Sequence, residues 1–214
     1  MGRSLRHQGN KRVSETNLDQ DHAAKKARIK TAKDALYASK TEEKGLIMVH
    51  TGTGKGKSTA AWGMVLRCLG HGYKVGIAQF VKGAREIGER AIFDRFQDQI
   101  RFAAYGEGFT WETQDRQKDL ELARAAFDAA KEMMADPEVR MVVMDELNIA
   151  LRYDYLPIEE VLDVLRTKRR DLHVVITGRN AKPELIELAD LVTEMQLVKH
   201  PFRAGIKAQP GIEF

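Results

Sequence analysis

From Gly45 onward, short apolar runs alternate with longer segments of helical period. The runs are LIMVH (46–50), KVGIAQFV (74–81), IRFAAY (100–105), RMVVMD (140–145), HVVITG (173–178) and LVTEMQLV (191–198). Runs that are apolar at successive positions suit strands buried on both faces, as in a parallel sheet covered on its two sides. Two intervening segments predict helices. Segment 113–136 opens at a possible Thr113 cap and places Leu120, Ala123, Phe127, Ala130 and Met134 on one face, stopping before Pro137. Segment 157–170 has Pro157 in its first turn and closes on Lys168, Arg169 and Arg170, which suits a helix C-terminus. Strand and helix repeated in this order predict a doubly wound α/β domain over residues 45–214.

The chain before Gly45 reads differently. Residues 1–18 are polar and without periodicity, an expectation of disorder. Residues 19–40 are rich in Ala and Lys and lack Gly and Pro, which favours a helix. Its apolar stripe is thin (Ile29, Leu36, Tyr37), so it is expected to order against a partner surface or to remain a solvated tail. Residues 1–44 therefore form an N-terminal helical arm, partly disordered.

Charge sharpens this division. The formal charge is +4, but residues 1–44 carry net +5 and residues 45–214 net −1. The basic character belongs to the arm, and no basic face on the domain calls for a nucleic-acid partner. Hydrophobic residues make up 43% and charged residues 31%, an ordinary globular balance. Cys68 is the single cysteine, so no intramolecular disulfide can form, and a reducing compartment is expected. The basic N-terminus has no apolar run after it, unlike a signal peptide, and no stretch reaches the ~18–20 apolar residues of a membrane span. The expected location is the cytoplasm.

Chemistry enters after the first strand, at His50-Thr51-Gly52-Thr53-Gly54-Lys55-Gly56-Lys57-Ser58-Thr59. From its second glycine onward this fits the phosphate-binding pattern GxxxxGK[ST] between a strand and a helix. Gly52, Gly54 and Gly56 let backbone N–H groups converge on phosphate oxygens, and the following helix points its positive end at the same anion. Lys57 would neutralise phosphate charge, and the Ser58 hydroxyl would ligate Mg2+ (or Mn2+). In one respect the cradle departs from the pattern. The first glycine position holds Thr51 and the glycine has moved to 52, which puts the usual grip on the terminal phosphates in question. The fold class is thus α/β of the P-loop NTPase (RecA-like) kind, with ATP as ligand. RMVVMDE then places Asp145 and Glu146 at the end of an apolar strand, where carboxylates hold Mg2+ directly or through water. A glutamate there can activate water in a hydrolase or serve only the metal in a transferase.

The segment Tyr105-Gly106-Glu107-Gly108-Phe109-Thr110-Trp111-Glu112-Thr113 is too polar, aromatic and Gly-rich for ordinary core, and it follows a strand toward the same sheet edge. Together GTGKGKSTAAWG, QFVKG, GFTWET, VVMDELN, YDYLPIEEV, VITGR, LADLV and VKHPFRAGIKAQPGIEF resemble the P-loop class of ATP:corrinoid adenosyltransferases, from about residue 45 to the end. The resemblance implies transfer of the 5′-deoxyadenosyl group of ATP to the Co(I) of a reduced corrinoid, with release of intact triphosphate. It implies that ATP lies reversed in the cradle of Gly52, Thr53, Gly54, Lys55, Gly56, Lys57, Ser58 and Thr59. It gives Lys57 and Glu146 catalytic roles, puts Mg2+ on Ser58 and Glu146 with Asp145 beside them, and sets Phe109 and Trp111 under the corrin ring. Arg67 matches a family arginine that could assist with phosphate charge, or it is a surface helix residue. A homodimer and a flavodoxin-like reductant are further implications. Two other classes stay open on the residues alone. One is a RecA-like ATP hydrolase with Glu146 as base; the other is a non-catalytic, nucleotide-dependent regulator.

Overall fold

The computed structural model describes residues 8–80, 88–105 and 116–213, with residues 8–17 described as backbone. It divides into two units, Met1–Glu43 and Lys44–Phe214. The first is one long helix, α1 (Gln8–Ala38). The helix begins well inside the stretch expected to be disordered. No Gly or Pro interrupts the chain between Asn10 and Ala38, so the Ala- and Lys-rich propensity carries back to Gln8. From residue 18 on its side chains are exposed, Leu18, Ile29, Leu36 and Tyr37 among them.

The second unit holds a six-stranded sheet of order β3-β2-β4-β5-β1-β6. The strands are β1 (Ile47–Thr51), β2 (Lys74–Gln79), β3 (Ile100–Ala104), β4 (Val139–Asp145), β5 (His173–Thr177) and β6 (Leu191–Glu194). Every pairing is parallel, from Ile47 against Val174 to Gln79 against Asp145. All six apolar runs are strands; β2, β3, β5 and β6 are shorter than their runs at the carboxyl end, β1 is shifted by one residue, and β4 begins one residue earlier.

Successive strand residues serve opposite faces, and both faces are apolar. Met48, Val75, Ile77, Met141, Val143 and Val175 pack against Trp62, Val65 and Leu69 of α2 (Lys57–Gly70) and against Phe93 of α3 (Gly88–Phe93). Cys68 lies in the same cluster, where burial raises its thiol pKa. Their neighbours Ile47, Val49, Ala78, Val142, Met144, Val174 and Ile176 face the other way. They pack on α4 (Arg116–Ala135), α5 (Leu147–Arg152), α6 (Ile158–Arg166) and α7 (Pro183–Leu188). Ala123, Phe127, Ala130 and Met134 form the buried stripe of α4 as the periodicity predicts; the expected Thr113 cap lies outside the described residues.

Helix α6 departs from expectation at both ends. Pro157, extended at ψ 127°, precedes the first turn, and the helix stops at Arg166. The basic run does not extend it, because its long side chains reach inward to strand termini. Lys168 Nζ donates to Gly45 O at 2.7 Å and Leu172 O at 2.8 Å, and Arg169 donates to Val139 O. These bonds satisfy carbonyls that a helix end would otherwise leave bare at the amino edge of the sheet.

The start of β1 is pinned by two titratable groups. His173 Nδ1 accepts the Leu46 amide at 3.1 Å, and Asp190 Oδ2 accepts the Ile47 amide at 2.9 Å while Oδ1 pairs with Lys44. Burial, then the charges of Arg140 and Lys168, lower the His173 pKa. Burial pulls the Asp190 carboxyl up, but the Lys44 and Ile47 hydrogen bonds and the charges of Lys44 and Lys168 outweigh it, so its pKa is lowered. Both folded-state values lie below the unfolded ones, so both contributions are complete above the unfolded pKa and are lost as pH falls. The urea midpoint is therefore expected to drop in two stages, one below pH ~6.5 from His173 and one below pH ~3.9 from Asp190. His173→Gln should flatten the first stage relative to wild type and leave the second; parallel curves would refute the assignment.

Candidate functional site

The carboxyl edge gathers the ends of β1, β2, β4 and β5. After Thr51 the chain turns sharply through Gly52 (φ +95°) and Gly56 (φ +103°), and α2 begins at Lys57. Both torsions lie in the left-handed region that favours glycine. The N-terminus of α2 thus opens on the loop, with backbone N–H groups aimed where an anion would sit. Lys57 is buried and its ammonium donates to Gly54 O. Ser58 is half-buried in the same turn, while Thr53, Lys55 and Thr59 are exposed. His50 Nδ1 lies 3.2 Å from Lys57 O and steadies the start of the helix from the strand side.

The shifted glycine has a structural reason. Thr51 is the last β1 residue, and its buried side chain accepts the Ala181 amide at 3.0 Å while its carbonyl accepts the Met195 amide at 2.9 Å. The threonine ties the loop to the segments after β5 and β6, and the turn begins one residue later. A Cβ on Gly52 would sit 2.4 Å from Met195 O, and one on Gly54 2.6 Å from Gln196 O. Backbone passes where those side chains would be.

Asp145 ends β4 with no exposure to solvent. Its Oδ1 accepts the Thr177 hydroxyl at 2.7 Å and its Oδ2 accepts Gln79 Nε2 at 2.8 Å. The Thr177 hydroxyl in turn accepts the Glu146 amide at 2.9 Å. Glu146 is half-buried and left-handed (φ +63°), a conformation that costs a non-glycine residue about 1 kcal/mol. The chain therefore leaves the strand end along a path that a regular continuation would not give. One strand, β5, separates β1 from β4, so loop and carboxylates are about 10 Å apart across the sheet. That gap suits phosphates and a metal ion between them. The Ser58 hydroxyl and the Glu146 carboxylate offer hard oxygen, the donor type that Mg2+ takes.

The sequence reading missed Gln79, Thr177 and Asn148. The signal was there for the first two, since each is a lone polar residue at the carboxyl end of an apolar strand. Asn148, fully buried in α5, sends Nδ2 toward Gly178 O at 3.4 Å. Among the described residues its Oδ1 has no partner, so it is an acceptor open to a bound donor. Arg67 is not brought to the loop within the chain. It lies exposed in the last turn of α2, about 15 Å of helical rise from Lys57. Phe109 and Trp111, and with them most of the aromatic segment, lie outside the described residues.

A glycine-bent loop feeding a helix N-terminus, a buried lysine at its first turn, and an acidic pair ending the strand one place removed define an α/β protein of the P-loop NTPase-like fold. Comparison with known proteins narrows the class. Residues 43–214 match the family ATP:corrinoid adenosyltransferase BtuR/CobO/CobP, and the chain belongs to that family. It is 54% identical over 198 residues to a corrinoid adenosyltransferase of Sinorhizobium sp, covering 92% of each chain. It is 53% identical over 196 residues to one of Pseudomonas aeruginosa, covering 92% of this chain and 97% of the relative. The Escherichia coli K12 corrinoid adenosyltransferase is 43% identical over 196 residues, at 92% and 99% coverage.

The network around Asp145 generates a prediction. Thr177→Val strips Asp145 Oδ1 and the Glu146 amide of a partner in a buried setting, and should lower unfolding free energy by about 1–3 kcal/mol. Thr177→Ser should keep most of it. Urea denaturation of the three proteins measures the difference; equal midpoints would mean that the network does not hold the strand ends together.

Proposed function

We propose that the enzyme transfers the 5′-deoxyadenosyl group of ATP to the Co(I) of a reduced corrinoid, as its family's description states for ATP and corrinoid. The observation that carries this reading is the family match over residues 43–214, the unit that contains the loop and the acidic strand end. The Co(I) electron pair attacks C5′, the cobalt–carbon bond forms, the C5′–oxygen bond breaks, and triphosphate leaves with that bonding pair. Co(I) needs no proton removed to act as a nucleophile. The protein's tasks are holding C5′ in line with cobalt and stabilising charge on the departing triphosphate.

The loop Gly52–Ser58 and Thr59 would bind the phosphates through backbone amides other than that of Gly54, which donates to Met195 O, with Lys57 and Lys55 supplying positive charge. Ser58 and Glu146 would hold Mg2+, which when bound neutralises phosphate charge. Asp145, with both oxygens already accepting hydrogen bonds, is better suited to orienting Glu146 or reaching the ion through water. Arg67 is left out of the phosphate shell of its own chain on distance. Phe109 and Trp111 would pack under the corrin ring, displacing the lower axial ligand of Co(II) and so easing its reduction.

A flavodoxin-like protein is the proposed reductant and the cytoplasm the proposed location; among the described residues no helix is long and apolar enough to cross a membrane. A homodimer is supported by the outer strand β6, whose Leu191 and Val192 are exposed at the sheet edge.

Two measurements test the reading. Anaerobic incubation with ATP, Mg2+ and chemically reduced cob(I)alamin should yield adenosylcobalamin and intact triphosphate. Inorganic phosphate with no change at cobalt would favour the hydrolase. Trp111→Ala should lower turnover from Co(II) with a reductant more than turnover from pre-reduced Co(I); equal losses would remove the axial-ligand role.

A further inference from the structure

The chain after β6 crosses back over the phosphate loop. The Met195 amide donates to Thr51 O, and the Gly54 amide donates to Met195 O at 2.6 Å. The Met195 sulfur would lie 3.5 Å from a Cβ on Gly56, and the Met195–Gln196 backbone fills the space beside Gly52 and Gly54. Further on, the Glu213 carboxylate pairs with the Lys55 ammonium. The Glu213 side chain is 14% exposed and that of Lys55 is 52% exposed.

The two loop lysines are therefore in different situations. Lys57 is buried with its ammonium on Gly54 O, whereas Lys55 is exposed on the same loop. A carboxylate of the chain itself already holds that exposed cation. We propose that Glu213 is an internal anion that competes with the polyphosphate for Lys55, weakening its hold on triphosphate and speeding release of that product. The inference rests on the phosphate-loop reading above.

The chemistry of the reaction gives this competition a use. Triphosphate keeps all three phosphates of ATP, so contacts that bind the substrate through its phosphates bind the product equally well. Losing the adenosyl group removes none of them. A carboxylate returning to Lys55 replaces one such contact with an internal one. Lys55 keeps about half of its side chain in solvent while Glu213 is mostly covered, and a pair open to water on one side is weak, so a polyanion displaces Glu213 without being shut out.

The test is calorimetric titration of sodium tripolyphosphate with Mg2+ into the full chain at low ionic strength, for wild type, Glu213→Gln, Lys55→Gln and the double variant, with melting curves confirming that each folds. Glu213→Gln should bind tripolyphosphate about threefold tighter and release it correspondingly more slowly. The gain should shrink as salt is raised, and should vanish in the Lys55→Gln background. Unchanged or weaker binding by Glu213→Gln, or an undiminished gain without Lys55, would overturn the inference while leaving the phosphate loop standing. Failure of the wild type to bind tripolyphosphate at all would overturn both.

Discussion

A carboxylate removed from water must find its hydrogen bonds within the protein, and Asp145 finds them on the strands at either side. Gln79 reaches it from β2 and Thr177 from β5. Three central strands are thereby stitched together at their carboxyl ends, where a parallel sheet loses its ladder and its chains diverge. A buried polar network is demanding, since one missing member leaves another group unsatisfied in a low-dielectric surround. The same demand fixes direction. The Thr177 oxygen that serves Asp145 also takes the Glu146 amide, so one hydroxyl links the buried carboxylate to the backbone of the half-buried one.

The phosphate loop is held in a comparable way from the other side of β5. Thr51 bonds to Ala181 and to Met195, and the backbone of Met195 and Gln196 lies against Gly52 and Gly54. The loop is thus a rigid seat, shaped by backbone packed on backbone. Such preorganisation suits a reaction in which the protein positions a leaving group and stabilises its charge and supplies no proton.

Much of this was legible along the chain, because it depends on local order. The six runs became six strands in sequence; the four inner ones are buried on both faces, while β3 and β6 at the edges are mostly open to solvent. The loop could be placed from Gly52 on because glycine spacing reports backbone torsion directly. Contacts made across long separations were not legible. Nothing near Thr51 announces that its partner is Met195, and nothing in the run Lys168-Arg169-Arg170 says that two of these side chains will seek strand carbonyls rather than prolong a helix. Helical propensity back to Gln8 was underrated because a polar sequence without an apolar stripe resembles a disordered one.

Glu146 carries a further meaning. A left-handed backbone suits glycine, and asparagine tolerates it better than glutamate does. Selection for backbone geometry alone would drift toward those residues at position 146, because each relaxes the turn. A long acidic side chain kept on an unfavourable backbone marks a place where robustness and performance are set against each other. Replacing Glu146 by Gly or Asn would relax the turn and favour heat resistance, and under the proposed metal-holding role that gain would come at the expense of activity.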